Sequence, residues 1–186
     1  IESHHMSENR VIVLSGPPGS GKAAVGHILE ERGWKLLSLG DVVRSEVASR
    51  NLEPTPSNIG FVAQDMRDEF GPAIVMERLL SDIEMAVEHN HVVIDGLRQI
   101  EELERLQSSQ PRMIVIAVEA SESHRRERIN SRSRSDDSDF DEREAREWGW
   151  GLDMVMQLAD LTIKNDGTED DFRTSIIHSL HSIGVE

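Results

Sequence analysis

The chain has 186 residues, no cysteine and a formal net charge of −15 at pH 7. This length fits one domain, the lack of cysteine excludes disulfides and thiolate metal sites, and the acidic surface repels nucleic acid as a bulk polyanion. The longest apolar run, Met113 to Val118, is too short to cross a bilayer, and no signal-peptide pattern precedes the first strand, so we expect a cytoplasmic protein without membrane contact.

The basic residues are nearly all arginines, because Lys22, Lys35 and Lys164 are the only lysines. Abundant carboxylates with scarce lysine suggest a halophilic protein, since salt screens the repulsion among like charges. An ordinary acidic protein is the alternative interpretation. The high-salt hypothesis predicts that the free energy of unfolding rises as KCl approaches molar concentration, and a flat response would contradict it.

Strand and helix patterns alternate along the chain. The residues from Ile1 to His5 contain part of a His-His-Met run and are interpreted as an added remnant, so one domain is expected over 6–186. Strands are predicted at 11–14, 35–39, 91–94, 113–118 and 161–164, and helices after the first glycine-rich loop and at 41–50, 60–70, 72–89, 100–107, 121–130, 142–158 and from 168. Asp41 is expected to cap the second helix, and the charged stretch 131–142 to form a loop or lid. This alternation predicts an α/β fold with a parallel sheet covered on both faces and ligands at the carboxyl ends of its strands.

A glycine-rich motif lies between the first strand and the first helix. It reads Gly16-Pro17-Pro18-Gly19-Ser20-Gly21-Lys22, which matches the phosphate-binding pattern G-x-x-x-x-G-K in the strand–loop–helix context that the pattern requires. Glycines let backbone N–H groups turn toward a phosphate, the helix adds the positive end of its dipole, and Lys22 reaches the β and γ oxygens. The motif therefore predicts ATP binding.

The residue after Lys22 is Ala23, where the usual loop has a serine or threonine that holds magnesium. Without that hydroxyl, Mg²⁺ would bind through phosphate oxygens and water. Asp95, at the end of the third strand, is the carboxylate that would orient such a water. No side chain is expected to bind the metal directly.

Four further segments, together with the glycine-rich loop, support a family resemblance. They are Leu39 to Arg44, Val92 to Arg98, Arg128 to Arg146 and Asp160 to Gly167. With them, nearly the whole chain resembles the adenylate kinase and wider nucleoside monophosphate kinase family, and most closely an archaeal branch of uncertain substrate that is also similar to dephospho-coenzyme A kinase. The resemblance implies a three-layer P-loop NTPase fold with a helical acceptor-binding insert at about 41–71 and a short lid at about 131–142.

The resemblance also implies roles on the acceptor side. Asp41 and Arg44 lie in the segment that opens the insert, and Arg44 would hold the acceptor's phosphate. Asp95 would lie near magnesium, and Arg98 would bind the acceptor's phosphate, although the proline that adenylate kinases have between these groups is missing here. Guanidinium groups suit the paired oxygens of a phosphate. The alternatives are a solvated helix arginine at position 44 and an ordinary Asp-Gly turn after the third strand.

Spaced arginines in the lid resemble those that close over the phosphates in this family. They are Arg128, Arg132, Arg134, Arg143 and Arg146. Such groups stabilise the charge that spreads over the phosphoryl oxygens in the transition state, and a closed lid excludes water. The alternative is a helix laced with ion pairs, since the same stretch holds many carboxylates.

On the donor side, the resemblance implies that the loop from Gly16 through Ala24 holds ATP, although family members usually have a hydroxyl where Ala24 stands. It also implies that backbone groups from Asn165 to Gly167 read the edge of the adenine ring, while an ordinary Asn-Asp-Gly turn is the alternative. Trp148 and Trp150 are expected to be buried in a core, with packing at the hinge of the lid or stacking on a ligand as the alternatives.

Three functions are compatible with the sequence. The first is transfer of the ATP γ-phosphoryl group to a nucleoside monophosphate, whose anionic oxygen needs no side-chain base. The second is transfer to a hydroxyl, as in dephospho-coenzyme A, with Asp41 as general base. The third, which Ala23 and Ala24 favour, is a nucleotide-dependent switch or ATPase. The expected partner is a small nucleotide or a coenzyme A precursor, and no protein partner is predicted.

Overall fold

The computed structural model describes residues 8–132 and 137–186. Within these ranges five parallel strands form a sheet in the order β2-β3-β1-β4-β5. The strands are β1 (Val11–Ser15), β2 (Lys35–Ser38), β3 (Val92–Leu97), β4 (Ile114–Glu119) and β5 (Leu161–Lys164). This arrangement confirms the predicted α/β fold with a five-stranded parallel sheet.

Helices cover both faces of the sheet. They are α1 (Lys22–Glu31), α2 (Leu39–Ser49), α3 (Pro56–Phe70), α4 (Ile74–Val87), α5 (Ile100–Ser109), α6 (Glu122–Arg132), α7 (Asp137–Gly149), α8 (Leu152–Gln157) and α9 (Glu169–Ser182). None of the helices in the described ranges is both long enough and apolar enough to cross a bilayer.

The central strand β1 is apolar on both sides, which explains why it is enclosed. Val11 and Val13 pack into one core with residues of α2, α3, α4, α5 and α8, whereas Ile12 and Leu14 pack into a second core with residues of α1 and α9. Each fully buried aliphatic side chain of this kind stabilises the fold by about 1.5–3 kcal/mol. Because β3 and β4 flank β1 on opposite sides, the chain leaves β1 at a topological switch point, where α/β sheets bind ligands.

Several element boundaries differ from the sequence prediction. Helix α2 begins at Leu39 after Ser38, so Asp41 lies in its first turn and is not the cap that the sequence predicted. Helix α3 begins at Pro56, earlier than predicted, because Thr55 accepts a hydrogen bond from the backbone N–H of Asn58 and proline suits the first helical position.

The third strand does not end at Ile94 in an Asp-Gly turn, as the sequence predicted. It continues to Leu97 through a β-bulge, since Leu14 pairs with Asp95 and Ser15 pairs with Leu97. Gly96 adopts a φ of 106°, which favours glycine. The bulge brings Asp95 and Arg98 to the same edge of the sheet as the glycine-rich loop.

The region after α6 contains two further differences. Residues 137–142, expected to be a loop, belong to helix α7, while 133–136 lie outside the described residues. The single helix predicted at 142–158 is divided into α7 and α8, because the chain turns at Gly151, whose φ is 98°. Whether residues 131–142 close over a ligand stays a prediction.

Candidate active site

The loop after β1 is packed so tightly that a Cβ atom at Gly16, Gly19 or Gly21 would overlap a neighbouring atom. Gly19 and Gly21 have φ angles of 78° and 106°. A Cβ atom at Gly19 would lie 2.7 Å from the carbonyl oxygen of Arg125, and one at Gly21 would lie 2.7 Å from Asn165 Nδ2. Neither position has conformational or spatial room for a side chain.

Lys22 begins helix α1 with its ammonium group beneath this loop. Nζ donates to the carbonyl oxygens of Gly16 and Pro17 at 2.7 and 3.3 Å, and the residue is 8% exposed. Burial and the nearby charge of Arg98 lower the pKa of Lys22 to about 8, although Asp95 opposes the shift. The first turn of α1 holds no acidic side chain, so the positive end of the helix is available to an anion.

A cavity of about 300 Å³ opens beside the loop. It brings together many of the side chains that the sequence singled out: Gly19, Gly21, Lys22, Ala23, Arg44, Asp95, Arg98 and Arg143. Ala23 lines this cavity with a methyl group where the usual loop has a hydroxyl, whereas Ala24 packs against the second core. This cavity, called the loop cavity below, combines a helix N-terminus with four cationic side chains.

A second cavity of about 520 Å³ adjoins the loop cavity, and the two share Arg44, Arg98 and Arg143. Its walls come largely from α2, α3 and α7. They include the apolar or aromatic side chains of Leu39, Val43, Ile59, Phe61, Val75, Phe140 and Trp150. This larger cavity therefore has an apolar body and a cationic end that faces the loop cavity.

The cationic end contains a buried carboxylate that the sequence analysis missed. Glu147 is 3% exposed, and its Oε1 accepts a hydrogen bond from Nε of Arg98 in an ion pair. Arg143 Nε lies 3.7 Å from the other oxygen, Oε2. Burial would raise the pKa of Glu147, but Arg98, Arg143 and Lys22 outweigh it and lower that pKa to about 2.

Asp95 has a buried oxygen that lacks a hydrogen-bond partner. Its Oδ1 finds no donor among the described residues, although it lies in the loop cavity with Lys22. Buried polar atoms are normally paired, so this oxygen fits a donor that a ligand brings, such as a metal-bound water. No group of three or more histidine or acidic side chains in the described ranges could hold a metal ion by itself.

Asp41 is not brought into either of these cavities. Its side chain is 76% exposed, forms an ion pair with Arg44 at 2.8 Å, and lines a separate cavity on the outer side of α2. Arg44 itself is 56% exposed and reaches the rim that the two cavities share. Of these two predicted residues, Arg44 therefore lines the cavities, while Asp41 contacts Arg44 from outside them.

Two arginines of α6 hold the glycine-rich loop. Arg128 donates to the carbonyl oxygens of Gly19 and Asn165 at 3.1 and 2.8 Å. Arg125, which no motif had indicated, is 5% exposed, donates to the Pro18 carbonyl oxygen, and forms an ion pair with Glu144 at 2.6 Å. Contacts between residues more than a hundred positions apart thus connect the loop to α6, and the pairing of Arg125 with Glu144 connects α6 to α7.

Arg146 and Trp150 lie together in the wall of the larger cavity. Trp150 is stacked by Arg67, whose guanidinium carbon lies 4.0 Å from the ring centre, and Arg146 lies 5.8 Å from it. A Cβ atom at Gly60 would lie 2.4 Å from Arg146 Nη1, so this glycine makes room for the guanidinium. Trp148 differs from Trp150, because it binds Glu144 through Nε1 and lines neither cavity.

The remaining predicted residues are placed less directly. Asn165 is buried and donates from Nδ2 to the Ser20 carbonyl oxygen at 2.9 Å, which ties the segment after β5 to the loop. Gly167 is exposed, and recognition of a base edge by this backbone stays a prediction. Arg134 lies outside the described residues, as does the side chain of Arg132.

Comparison with known proteins gives a family and a fold. The model of an AAA domain matches residues 12–149. A UPF0200 protein of Thermococcus gammatolerans is 33% identical over 173 residues, which cover 89% of this chain and 91% of the relative. A UPF0200 protein of Aeropyrum pernix is 43% identical over 66% of this chain and 65% of the relative. A UPF0200/UPF0201 protein of Archaeoglobus fulgidus is 39% identical over 89% of this chain and 53% of the relative.

Solved structures with the same fold include three kinases. A gluconokinase from Sinorhizobium meliloti aligns with a TM-score of 0.57 and 18% identity over 96% of this chain and 95% of that protein. A dephospho-CoA kinase from Campylobacter jejuni aligns with a TM-score of 0.58 and 15% identity, over 93% of this chain and 96% of that protein. A shikimate kinase from Acinetobacter baumannii aligns with a TM-score of 0.59 and 18% identity, over 97% of each chain. At these identities the likeness establishes a P-loop kinase-like fold.

Proposed function

This chain belongs to the AAA-domain family and to the archaeal UPF0200 proteins, and on that premise we propose that it is an ATP-dependent phosphotransferase. It would move the γ-phosphoryl group of ATP to a small nucleotide-like acceptor. The observation that carries the proposal is the junction of two cavities at Arg44, Arg98 and Arg143. Donor and acceptor phosphates held in adjoining cavities would meet at these guanidinium groups, as in-line transfer requires.

The loop cavity would hold the donor. Backbone groups of the glycine-rich loop and the N-terminus of α1 would bind the β-phosphate, and Lys22 would exchange its carbonyl partners for phosphate oxygens. The unpaired oxygen of Asp95 would accept a hydrogen bond from a water that belongs to Mg²⁺. When bound, Mg²⁺ supplies charge neutralisation at the phosphates.

The composition of the larger cavity supports a nucleotide-like acceptor. Among its described lining residues, Ser57 supplies the one hydroxyl, and the rest are apolar, aromatic or charged. A polyol acceptor would need several neutral hydrogen-bonding groups, whereas a flat base and a phosphate suit apolar walls with a guanidinium end. Arg44, Arg98 and Arg143 would bind that phosphate, and Arg143 and Arg146 would also stabilise the charge on the transferred group.

A hydroxyl acceptor, as in dephospho-coenzyme A, is the alternative transfer reaction. It requires a general base, and Asp41 is poorly placed because it lines neither cavity. Glu147 is a weak base because its pKa is about 2. Asp95 in the loop cavity and Glu142 in the larger cavity are the other carboxylates that could serve as the base for a hydroxyl acceptor, whereas an acceptor whose attacking oxygen is already anionic requires none.

The test is incubation with Mg-ATP and a panel of nucleoside monophosphates and dephospho-coenzyme A, followed by chromatographic separation of the products. A phosphorylated acceptor that depends on the protein would support the proposal. Release of ADP without a phosphorylated product would instead support an ATPase or nucleotide-dependent switch. A protein that consumed no ATP with any acceptor would contradict both.

The pKa of Lys22 predicts that ATP binding takes up a proton at mildly alkaline pH. In the empty protein this pKa is about 8, and the phosphates of ATP would raise it. Above pH 8 the lysine is therefore largely neutral before binding and charged afterwards, so the affinity for ATP should fall as pH rises through 8. Calorimetry at about pH 8.5 in two buffers of different ionisation enthalpy measures the uptake, which should be about three quarters of a proton for each ATP because that fraction of the lysine is neutral before binding.

The matched control for this measurement is Lys22→Met, which keeps the volume of the side chain but cannot titrate. Any ATP that the variant binds should be bound without the proton uptake seen in the wild type. Equal proton uptake by both proteins would show that another group is responsible.

A further inference from the structure

The carboxylate of Glu147 holds guanidinium groups that the proposed function assigns to phosphates. It accepts the hydrogen bond of Arg98 Nε, and Arg143 Nε lies 3.7 Å from its second oxygen. Glu147 lines the larger cavity, and Arg98 and Arg143 line both cavities. A buried anion that belongs to the protein therefore lies at the junction where a ligand's anion is expected.

The pairing at this junction is incomplete. Glu147 Oε2 has no hydrogen-bond partner among the described residues, because 3.7 Å to Arg143 Nε is too long. Nε of Arg146, one residue earlier on α7, is also buried without a hydrogen-bond partner there. Arg146 Nε thus remains an unused donor in the cavity wall, as expected for a site that an anion completes.

The charges at the junction point the same way. Arg98, Arg143 and Lys22 lower the pKa of Glu147, and Asp95 and Glu102 also lie near Arg98. The cationic side chains that line the two cavities still outnumber the carboxylates: they are Lys22, Arg44, Arg67, Arg98, Arg143 and Arg146, against Asp95, Glu142 and Glu147. The side chain of Arg98 is 14% exposed, so water compensates little of its charge. The excess positive charge favours a ligand with more negative charge than a single carboxylate brings.

We propose that Glu147 is a specificity-determining residue of the acceptor site: its carboxylate stands in for the acceptor's phosphate, and an incoming anion must replace it at Arg98 and Arg143. This inference rests on the proposed function and adds the charge that an acceptor must bring. A carboxylate ligand carries the same charge as the group that it displaces and gains nothing by the exchange. A phosphate dianion brings a second charge and a third oxygen, so the site admits phosphate monoesters and rejects simple carboxylic acids.

The test is calorimetric binding of inorganic phosphate and of acetate to the wild-type protein and to Glu147→Gln. The variant should bind phosphate at least tenfold more tightly, and it should bind acetate at millimolar concentrations at which the wild type shows no binding. The control is Asp141→Asn, which removes a carboxylate from the same helix and from Arg126, but lines neither cavity. This control should bind both anions as the wild type does.

A second pair of variants shows where the phosphate binds, since the glycine-rich loop is also an anion site. The tenfold gain should persist when Glu147→Gln is combined with Lys22→Met and compared with Lys22→Met alone. A gain that disappears in this background would place the phosphate at the loop and overturn the inference. A folded Glu147→Gln that binds phosphate no more tightly than wild type would also overturn it, because Glu147 would then only keep the arginines in position.

Stability and function are kept apart in this design. If thermal melting shows that Glu147→Gln does not fold, Glu147→Asp is the second variant. It retains the charge but has a shorter side chain, which weakens the contact with Arg98, so it should bind phosphate more tightly than wild type. Equal or weaker binding by Glu147→Asp would refute the inference. Phosphate binding needs no transfer reaction, so a protein that phosphorylates no acceptor would refute the proposed function and leave this result interpretable.

Discussion

Replacement of Lys22 by alanine should lower phosphoryl transfer by about 10²–10³-fold, the usual effect of losing one preorganised charged donor at a transition state. Nζ now donates to the carbonyl oxygens of Gly16 and Pro17, and it lies within the loop cavity where the β and γ oxygens would be bound. The substitution removes the cation that would follow the transferred group. Steady-state rates with Mg-ATP and the accepted substrate measure the effect.

The fold should survive this substitution. Burial of the ammonium already disfavours its charged form, as the lowered pKa shows, so removal of this charge should cost little free energy of folding. Lys35→Ala is the control, since that lysine is exposed at the start of β2 and lies outside the loop cavity. Unchanged turnover in a folded Lys22→Ala protein would refute the placement of the ATP phosphates.

Replacement of Arg98 by alanine should have the largest effect on stability. Its partner Glu147 has a side chain that is 4% exposed, and removal of one member of a buried ion pair typically costs about 3–5 kcal/mol because the other charge is left uncompensated. This is a large part of the 5–15 kcal/mol by which domains are typically stable. Urea unfolding of both proteins measures the difference in the free energy of unfolding.

The matched control is Arg105→Ala. Arg105 pairs with Glu77 at 3.7 Å, but their side chains are 44% and 46% exposed, so loss of this pair should cost about 0–1 kcal/mol. The double variant Arg98→Ala with Glu147→Gln should recover part of the lost stability, because it leaves no unpaired carboxylate. An Arg98→Ala protein as stable as wild type would show that Glu147 is compensated by other groups.

The fold and the strand–loop–helix unit around Lys22 could be predicted from short stretches of sequence. The apolar run that forms β1, followed directly by glycines and Lys22, defines a strand, a turn and a helix within a few residues of one another. Local patterns failed where one signal has two meanings. Asp95-Gly96 is a frequent turn, but here the chain continues in the strand through a bulge, and only the pairing with β1 reveals it.

The larger cavity depends on contacts that sequence patterns do not encode. Glu147 lies 49 residues from Arg98 and looked like one more carboxylate in a charged helix. Arg125 reaches the loop across 107 residues and belongs to no motif. Gly60 gave no signal at all, because its importance is the space that it leaves for Arg146. Such roles are set by tertiary packing, which a single sequence does not display.

The β-bulge at Gly96 makes chain length itself a constraint on this protein. Successive strand residues face alternate sides of a sheet, and the extra residue of the bulge shifts that alternation. Asp95 before the bulge lies in the loop cavity, and Arg98 after it contacts Glu147. Deleting one residue here would turn the arginine away from its carboxylate without changing any side chain. Insertions and deletions in related sequences should therefore accumulate in the connections remote from this edge of the sheet, while the three-residue spacing from Asp95 to Arg98 stays the same.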